Sequence, residues 1–513
     1  MEKFSEKVYL QLKMPIEENP MSDEKRIRYA LDVLGYQNVS IPLHMLRQLY
    51  PMCREADFDI TVTLVHQENQ WTMTQVEPGD TRTQHYGLAV DYGSTTIVMR
   101  LVDFNSGAVI GEEKAVNGQT AYGMDILTRI TYAIEDAAHM DDLQKVTAET
   151  FNGLLSDLAE NTGIDAEQCP LMILSGNTTM IHFLLKLNPW TVFASPYAPV
   201  VTDPGFFWGK ELGMDFSGLV YIVPAASNYI GGDIVSGLLN LDIHKKEEVS
   251  LFFDIGTNGE LVIGNKNWML AGAGAAGPAL EGYISRFGMR AADGAIDSVK
   301  ITGDRLSFTT IQNRKPVGIC GSGIIDLLAQ MRLHGWINIA GDLCPEASSR
   351  IRYVEEEAQY AVVYATEEES ASGEPLYFSQ TDIWQYLDTK AAAYTMVECL
   401  METAGVDLDD LQNLYLSGAF TVHSDLESAV TIGMFPDLKR EQYHVMSNTS
   451  LEGATVLLLN YSRLREAQEL VENMYCVQFA SIPDFLVRMQ AAKFIPHTDM
   501  SRYPSIQKKL IEK

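Results

Sequence analysis

The chain has 513 residues, 46% hydrophobic and 21% charged, enough material for about three globular domains. Its 38 basic and 68 acidic side chains leave a net charge of −30, a field that repels phosphate backbones and anionic lipid, so neither nucleic acid nor membrane is expected as a partner. Its six cysteines (Cys53, Cys169, Cys320, Cys344, Cys399 and Cys476) fall in no C-x-x-C spacing, which argues against a zinc or iron–sulfur cluster and, with no apolar signal core at the start, predicts a cytoplasmic protein.

Residues 1–85 read as a small α+β module. A strand is expected over 7–12, a helix from Ser22 to the stop at Gly35, and a second helix over 42–56. A strand pair over 58–65 and 71–76 closes at the turn Glu77-Pro78-Gly79-Asp80. The module carries no obvious chemistry and is expected to dock or dimerise. Residues 86–248 read as a first α/β lobe. It opens on the strand–turn–strand Leu88-Ala89-Val90-Asp91-Tyr92-Gly93-Ser94-Thr95-Thr96 followed by Ile97-Val98-Met99, with a third strand over 108–115. Helices follow near 125–130 and over 143–162. A strand over 171–175 then ends in Gly176-Asn177-Thr178-Thr179-Met180, and after a strand at 221–224, Gly231-Gly232-Asp233 opens another helix.

Residues 249–513 read as a second lobe that starts the same way, with close strands at 251–253, 260–263 and 268–271. A helix is expected over 278–287, a hairpin region to 308, and a helix over 324–333 opened by Gly318-Ile319-Cys320-Gly321-Ser322-Gly323. Residues 341–378 look like an insertion with alternating strands. A long helix over 381–404 ends at Gly405; a strand over 413–416 ends in Ser417-Gly418-Ala419-Phe420, before a helix over 425–432. The tail is helical over 449–471, with a short strand near 476–479.

The turn at Asp91 offers a carboxylate, free backbone N–H groups and hydroxyls together, the donors a magnesium-bound phosphate requires. A lone turn of this kind is equally a hairpin whose aspartate caps its own backbone. The second copy, Phe253-Asp254-Ile255-Gly256-Thr257-Asn258-Gly259-Glu260, and the small-residue turn at Gly418 lift it above that reading. Gly272-Ala273-Gly274-Ala275-Ala276-Gly277 fits a dinucleotide fingerprint, but its strand belongs to a meander joined by turns too short for crossovers, so these strands are expected to be antiparallel and the fingerprint to fail. No G-x-x-x-x-G-K-[ST] loop occurs.

The set resembles the actin-like ATPase superfamily, with its first phosphate loop, connecting helix, second phosphate loop and adenosine loop. It resembles most the reductive activators of corrinoid proteins, through Asp91 to Thr96, Gly176 to Met180, Phe253 to Glu260, Ala276 to Gly282, Ile319 to Gly323 and Leu416 to Phe420. The resemblance spans about 86–480, and the N-terminal module looks like that family's middle domain. It implies a duplicated α/β fold of the ribonuclease H-like type, with a small N-terminal α+β domain. It assigns magnesium to Asp91 and Asp254, the phosphates to Gly93, Ser94, Thr95, Thr96, Gly256, Thr257, Asn258 and Gly259, and the attacking water to Glu260 or Asp233. Gly418 and Ala419 would admit the adenine, with Gly274, Gly277, Gly321 and Gly323 as further nucleotide contacts. Asn177 either touches the nucleotide or caps its helix. Glu260 equally fits a solvent-facing strand end. Cys320, His182 and His423 fit core or surface roles.

The implied activity is ATP-dependent return of an inactive Co(II) corrinoid protein to Co(I) in a methyltransferase system. Such activators usually begin with a two-iron, two-sulfur ferredoxin domain, and no matching cysteine pattern occurs. No iron–sulfur cluster is therefore expected in this chain, and a separate ferredoxin-type donor is expected to supply the electron. ATP and Mg2+ are the expected cofactors, a corrinoid protein the partner, and a homodimer is possible. The alternatives are a small-molecule kinase of the same fold and a nucleotide-bound interaction protein.

Overall fold

The computed structural model describes residues 2–256, 258–275, 282, 284–418 and 423–512. They form two compact units. One comprises Met1–Asp242 with Thr449–Asn473, the other Ile243–Asn448 with Met474–Lys513.

The first unit begins with β1 (Ser5–Gln11), β2 (Val39–Ser40), β3 (Asp59–Gln67) and β4 (Gln70–Pro78), in the order β1-β3-β4-β2. Helix Asp23–Val33, capped by Ser22, and helix Leu43–Glu55 cover this sheet. Ile27 and Leu31 from the first helix, and Met45, Leu49 and Cys53 from the second, share a buried core with Val8, Leu10, Ile60, Val62 and Leu64. Next come β5 (Tyr86–Tyr92), β6 (Thr96–Asp103), β7 (Val109–Val116), β8 (Leu171–Gly176), β9 (Gly205–Trp208) and β10 (Leu219–Ile222), in the order β7-β6-β5-β8-β10-β9. The short turns make β5, β6 and β7 antiparallel. β8 joins β5 in parallel only after the crossover through helix Ala137–Thr162, and every residue of β8 is buried.

Two helices from late in the chain complete this unit, Thr449–Leu459 and Ser462–Asn473. The first packs against helix Gly232–Leu241 and strands β5 and β8. The helices meet so closely that a Cβ on Gly453 would lie 1.8 Å from the Ser236 carbonyl oxygen, so only glycine allows the crossing. Arg100 of β6 anchors it by pairing with Glu452 at 2.8 Å and donating to Thr455 Oγ1 at 3.2 Å.

The second unit repeats the pattern. β11 (Ser250–Ile255), β12 (Asn258–Asn265) and β13 (Trp268–Ala275) form an antiparallel meander. Two side sheets follow. One holds β14 (Ala295–Thr302), β15 (Arg305–Thr310) and β16 (Gly318–Ile319); the other holds β17 (Ile351–Val354), β18 (Gln359–Ala365) and β19 (Leu376–Ser379). The chain then returns with β20 (Asn413–Ser417), β21 (Tyr443–Val445) and β22 (Met474–Val477), giving the main sheet the order β21-β20-β11-β12-β13-β22. β20 lies parallel to β11, as β8 does to β5. Three antiparallel strands continued by two parallel ones therefore occur twice.

Helix Gln380–Ala404, with a capping box at Ser379 and Asp382 and a left-handed Gly405 at its end, packs against β12 and β13. Its Lys390 is fully buried and donates to the carbonyls of Ala492, Phe494 and Pro496 at 2.5, 2.6 and 2.6 Å, which fastens the C-terminal segment to the core.

One expected element differs. Of the helix read over 278–287, residues 276–281 and 283 lie outside the described residues, and 284–287 form turns. Gly282 has a φ of +93°, and Gly288 approaches so closely that its Cβ would sit 1.9 Å from the Gly282 carbonyl oxygen. Among the described residues, 284–287 are therefore not helical. Two glycines of the dinucleotide-like stretch, Gly272 and Gly274, also find a packing reason. A Cβ on Gly272 would lie 2.5 Å from the Phe479 ring, and one on Gly274 2.4 Å from Met396 Sδ. β13 is antiparallel to β12 and the next strand, β14, lies in another sheet, so among the described residues no βαβ unit of the kind the fingerprint requires follows β13.

Candidate functional site

In the first unit the C-terminal ends of β5 and β8 lie side by side, with Asp91 opposite Ser175 and Tyr92 opposite Gly176. In α/β sheets this end of a parallel pair is where ligands gather. The turn Gly93-Ser94-Thr95 leaves β5 here. Asp91, Gly93, Ser94 and Thr95 are half-buried and Thr96 is exposed. A Cβ on Gly93 would stand 2.6 Å from the Thr96 carbonyl oxygen, so the tightness of the turn dictates glycine. Asn177 closes β8 by accepting from the Met180 N–H at 3.0 Å, which caps helix Thr178–Leu184. Gly231 packs on Asn177, with a Cβ there only 2.5 Å from the Asn177 Cα and 2.6 Å from Asp233 Oδ1. The fold thus gathers three predicted stretches: the Asp91 turn, Asn177 and Gly231-Gly232-Asp233.

Two serines outside those stretches tie them together. Ser450, at the start of the late helix, donates to Asp91 Oδ1 at 2.8 Å. Its Oγ stands 3.0 Å from Ser175 Oγ, and Ser175 donates to the Gly232 carbonyl at 3.0 Å. Both serines are buried. Asp233 opens helix Gly232–Leu241, and its Oδ1 accepts from the Ile234 N–H at 2.9 Å. Burial, with the Asp91 charge adding to it, pushes the Asp233 carboxyl up to about 7. Asp233 can therefore hold or release a proton near neutrality.

In the second unit Asp254 lies on β11 opposite Glu260 on β12, with Ile255 opposite Gly259. Gly256 starts the turn, and its N–H donates to the Asn258 carbonyl at 2.9 Å. Asp254, Gly256 and Glu260 are half-buried, Asn258 is exposed and Gly259 buried. On the other side, β20 brings Ser417 opposite Asp254. Gly418 follows with a φ of +102°, and a Cβ there would lie 2.1 Å from the Ile255 carbonyl oxygen and 3.1 Å from Asp254 Oδ1. Thr257, Gly277 and Ala419 lie outside the described residues. Gly321 and Gly323 open helix Gly321–Leu333 and are buried. A Cβ on Gly323 would lie 2.4 Å from the Ile296 carbonyl oxygen of β14. Cys320 is buried beside them, its Sγ 3.3 Å from the same carbonyl. Of the histidines weighed, His182 is a core residue: its Nδ1 bonds the Thr178 carbonyl at 2.7 Å and its Nε2 accepts from the Val200 N–H at 3.0 Å. His423 is exposed.

Sequence reasoning missed Ser175, Ser450, Asn117 and Arg129. Ser175 ends a strand already singled out, so its position was available. Ser450 lies 359 residues from Asp91 and carries no local pattern. Asn117 and Arg129 lie behind the Asp91 turn: Asn117 Nδ2 donates to the Gly93 carbonyl at 3.0 Å, and Arg129 Nη1 to the Ser94 carbonyl at 2.6 Å.

Comparison with known proteins places this architecture. Residues 248–507 match the profile described as the C-terminal domain of RACo, the ASKHA domain; residues 86–246 match the RACo middle region and 1–83 the RACo linker region. The segment likened from sequence to a middle domain therefore corresponds to the linker. The corrinoid activation enzyme RamQ of Eubacterium limosum is 30% identical over 409 residues, covering 78% of this chain and 69% of RamQ. A Co(II) methylated amine-specific corrinoid protein reductase of Methanosarcina barkeri is 24% identical over 421 residues, 76% of this chain and 73% of the reductase. A solved reductive activator for corrinoid, iron–sulfur protein matches with a TM-score of 0.87 at 32% identity, over 98% of this chain and 81% of the other.

Proposed function

The chain belongs to the reductive activators of corrinoid proteins, and from that premise we propose that it uses ATP to return a Co(II) corrinoid protein to Co(I). The observation that carries this reading is the likeness to a solved activator, which extends over 98% of the chain. The partner is a corrinoid protein, and its cobalt is the substrate. The reduction takes one electron, which a separate ferredoxin-type donor supplies to cobalt. Nucleotide state sets which form of the partner this protein binds more tightly, and that difference in affinity pulls an unfavourable reduction forward.

The residues fit magnesium and a nucleotide. Asp91 and Asp254 are half-buried carboxylates at strand ends, the hard oxygen donors Mg2+ requires, and each precedes a glycine turn. Magnesium held by either carboxylate would neutralise phosphate charge. The N–H groups and hydroxyls of Gly93, Ser94, Thr95 and Thr96 would hold phosphate oxygens in the first unit, and the sequence assigns the same task to Gly256, Thr257, Asn258 and Gly259. The sequence assigns the adenine to Gly418 and Ala419, with Gly277 and Gly321 as further contacts, whereas Gly274 and Gly323 pack on Met396 Sδ and the Ile296 carbonyl. Asp233 or Glu260 orients the attacking water. The Asp233 carboxyl, near neutrality, suits the proton that water gives up. Asn177 reaches the same place but serves first as a helix cap. The N-terminal module is a docking or dimerising element.

The test mixes the protein, Mg·ATP, a Co(II) corrinoid protein and reduced ferredoxin, and follows the Co(I) absorption. An ATP-dependent rise that Asp254→Ala abolishes is expected. No rise would overturn this reading, and ATP turnover driven by a sugar or carboxylate instead of the corrinoid protein would replace it with the small-molecule kinase.

A further inference from the structure

Arg129 is fully buried on helix Ile126–Glu135, and no carboxylate among the described residues lies within ion-pair distance of it. Asp125 acts on it only from further off. A buried charge without a counter-ion destabilises a fold, so its presence calls for a reason. The guanidinium donates through Nε to the Gly123 carbonyl at 2.7 Å and through Nη1 to the Ser94 carbonyl at 2.6 Å. Nη1 also lies 3.8 Å from the Met180 sulfur, in the helix that Asn177 caps. Nη2 is buried and has no hydrogen-bond partner among the described residues.

Asn117 does a matching job. It is fully buried; its Nδ2 donates to the Gly93 carbonyl at 3.0 Å and its backbone N–H to the Thr95 carbonyl at 2.9 Å. All three carbonyls of the turn are thus anchored from behind. A trans peptide sets each carbonyl opposite the next residue's N–H. Anchoring Gly93, Ser94 and Thr95 therefore turns the N–H groups of Ser94, Thr95 and Thr96 away from Asn117 and Arg129.

We propose that Arg129 and Asn117 are positioning residues that fix the 93–96 turn with its N–H groups presented to phosphate, Arg129 adding an unneutralised positive charge behind it. This rests on the nucleotide reading above. The planar fork of arginine reaches the Gly123 and Ser94 carbonyls at once, which the single nitrogen of lysine does not reproduce in the same geometry. The charge acts through the turn; Arg129 itself need not touch the ligand.

The test measures binding of ADP and of adenosine, with Mg2+ present, to the full chain by calorimetry. Arg129→Met is expected to weaken ADP roughly 10- to 100-fold, the usual range for a hydrogen bond to a charged group, and to leave adenosine unchanged. Arg129→Lys should lose less. Asn117→Asp, which keeps the oxygen that accepts the Gln119 N–H but removes the donor to Gly93, should weaken ADP in the same selective way. If Arg129→Met does not fold, the lysine variant carries the test. A folded variant that binds ADP as the wild type does, or that loses ADP and adenosine equally, overturns the positioning role. Wild-type protein that binds no ADP would remove the nucleotide reading itself, and this role with it.

Discussion

Asp233→Asn should stabilise the nucleotide-free protein in a strongly pH-dependent way. In the folded state burial and the Asp91 charge raise the Asp233 carboxyl from its ordinary 3.8 to about 7. A carboxyl raised on folding favours the native state while protonated. Its contribution is whole below about pH 4 and is lost as pH rises through about 7. The loss is the shift, roughly three pH units, multiplied by 1.36 kcal/mol per unit, or about 4 kcal/mol as an upper value. Partial contact with solvent lowers it, and about 2–4 kcal/mol is the range expected. Asparagine keeps the shape and the acceptor for the Ile234 N–H but never ionises. Variant and wild type should therefore unfold alike near pH 4, and the variant should lead by that margin at pH 8. Urea unfolding without nucleotide or Mg2+, across that range, reads the difference. A gap that stays flat with pH, or a variant less stable at pH 8, would refute the argument. The same variant should lose ATP turnover, because stability at this position is gained at the expense of the proton it handles.

Ser450→Ala removes the donor to Asp91 Oδ1 and should weaken Mg2+ binding with ADP by about three- to tenfold, as measured by calorimetry; an unchanged affinity would show that Asp91 is held without it. Gly418→Ala puts a Cβ 2.1 Å from the Ile255 carbonyl oxygen at a φ of +102°. It should cost about 2–4 kcal/mol in urea unfolding and lower ADP affinity, and a variant with native stability would mean that the turn relaxes freely. Lys390→Met leaves the carbonyls of Ala492, Phe494 and Pro496 without their donor. A loss of about 3 kcal/mol is expected, with faster proteolysis of the C-terminal segment; no loss would mean that the burial cost of the ammonium cancels its three bonds.

Both aspartate turns were legible because the rule behind them is local. An apolar run that stops at an acid, a glycine and hydroxyls fixes a strand end, a tight turn and the next strand within a dozen residues. The short spacing also fixes the antiparallel meander, which leaves the Gly272 fingerprint without the fold it needs. Glycine identity was less informative. Gly93 and Gly418 sit where the turn leaves no room for a Cβ, but Gly272, Gly274 and Gly323 meet Phe479, Met396 and the Ile296 carbonyl. From sequence, a glycine that admits a ligand looks the same as one that admits a neighbouring strand or ring.

What stayed hidden is long-range. The helix Thr449–Leu459 carries a nearly even spread of buried residues, which marks a helix covered on many sides but not by which core. It joins the unit that begins the chain, not the one that precedes it, and there sets Ser450 on Asp91, Glu452 on Arg100 and Gly453 on Ser236. Each contact uses a residue type common on any helix, so none stands out in a single sequence. Arg129 is hidden for the opposite reason. An arginine in an amphipathic helix is normally a surface charge, and only its complete burial, with no carboxylate among the described residues to pair it, sets it apart. A residue that supports a loop from behind is chosen by the loop's unsatisfied carbonyls, and those become visible only when the turn has been built.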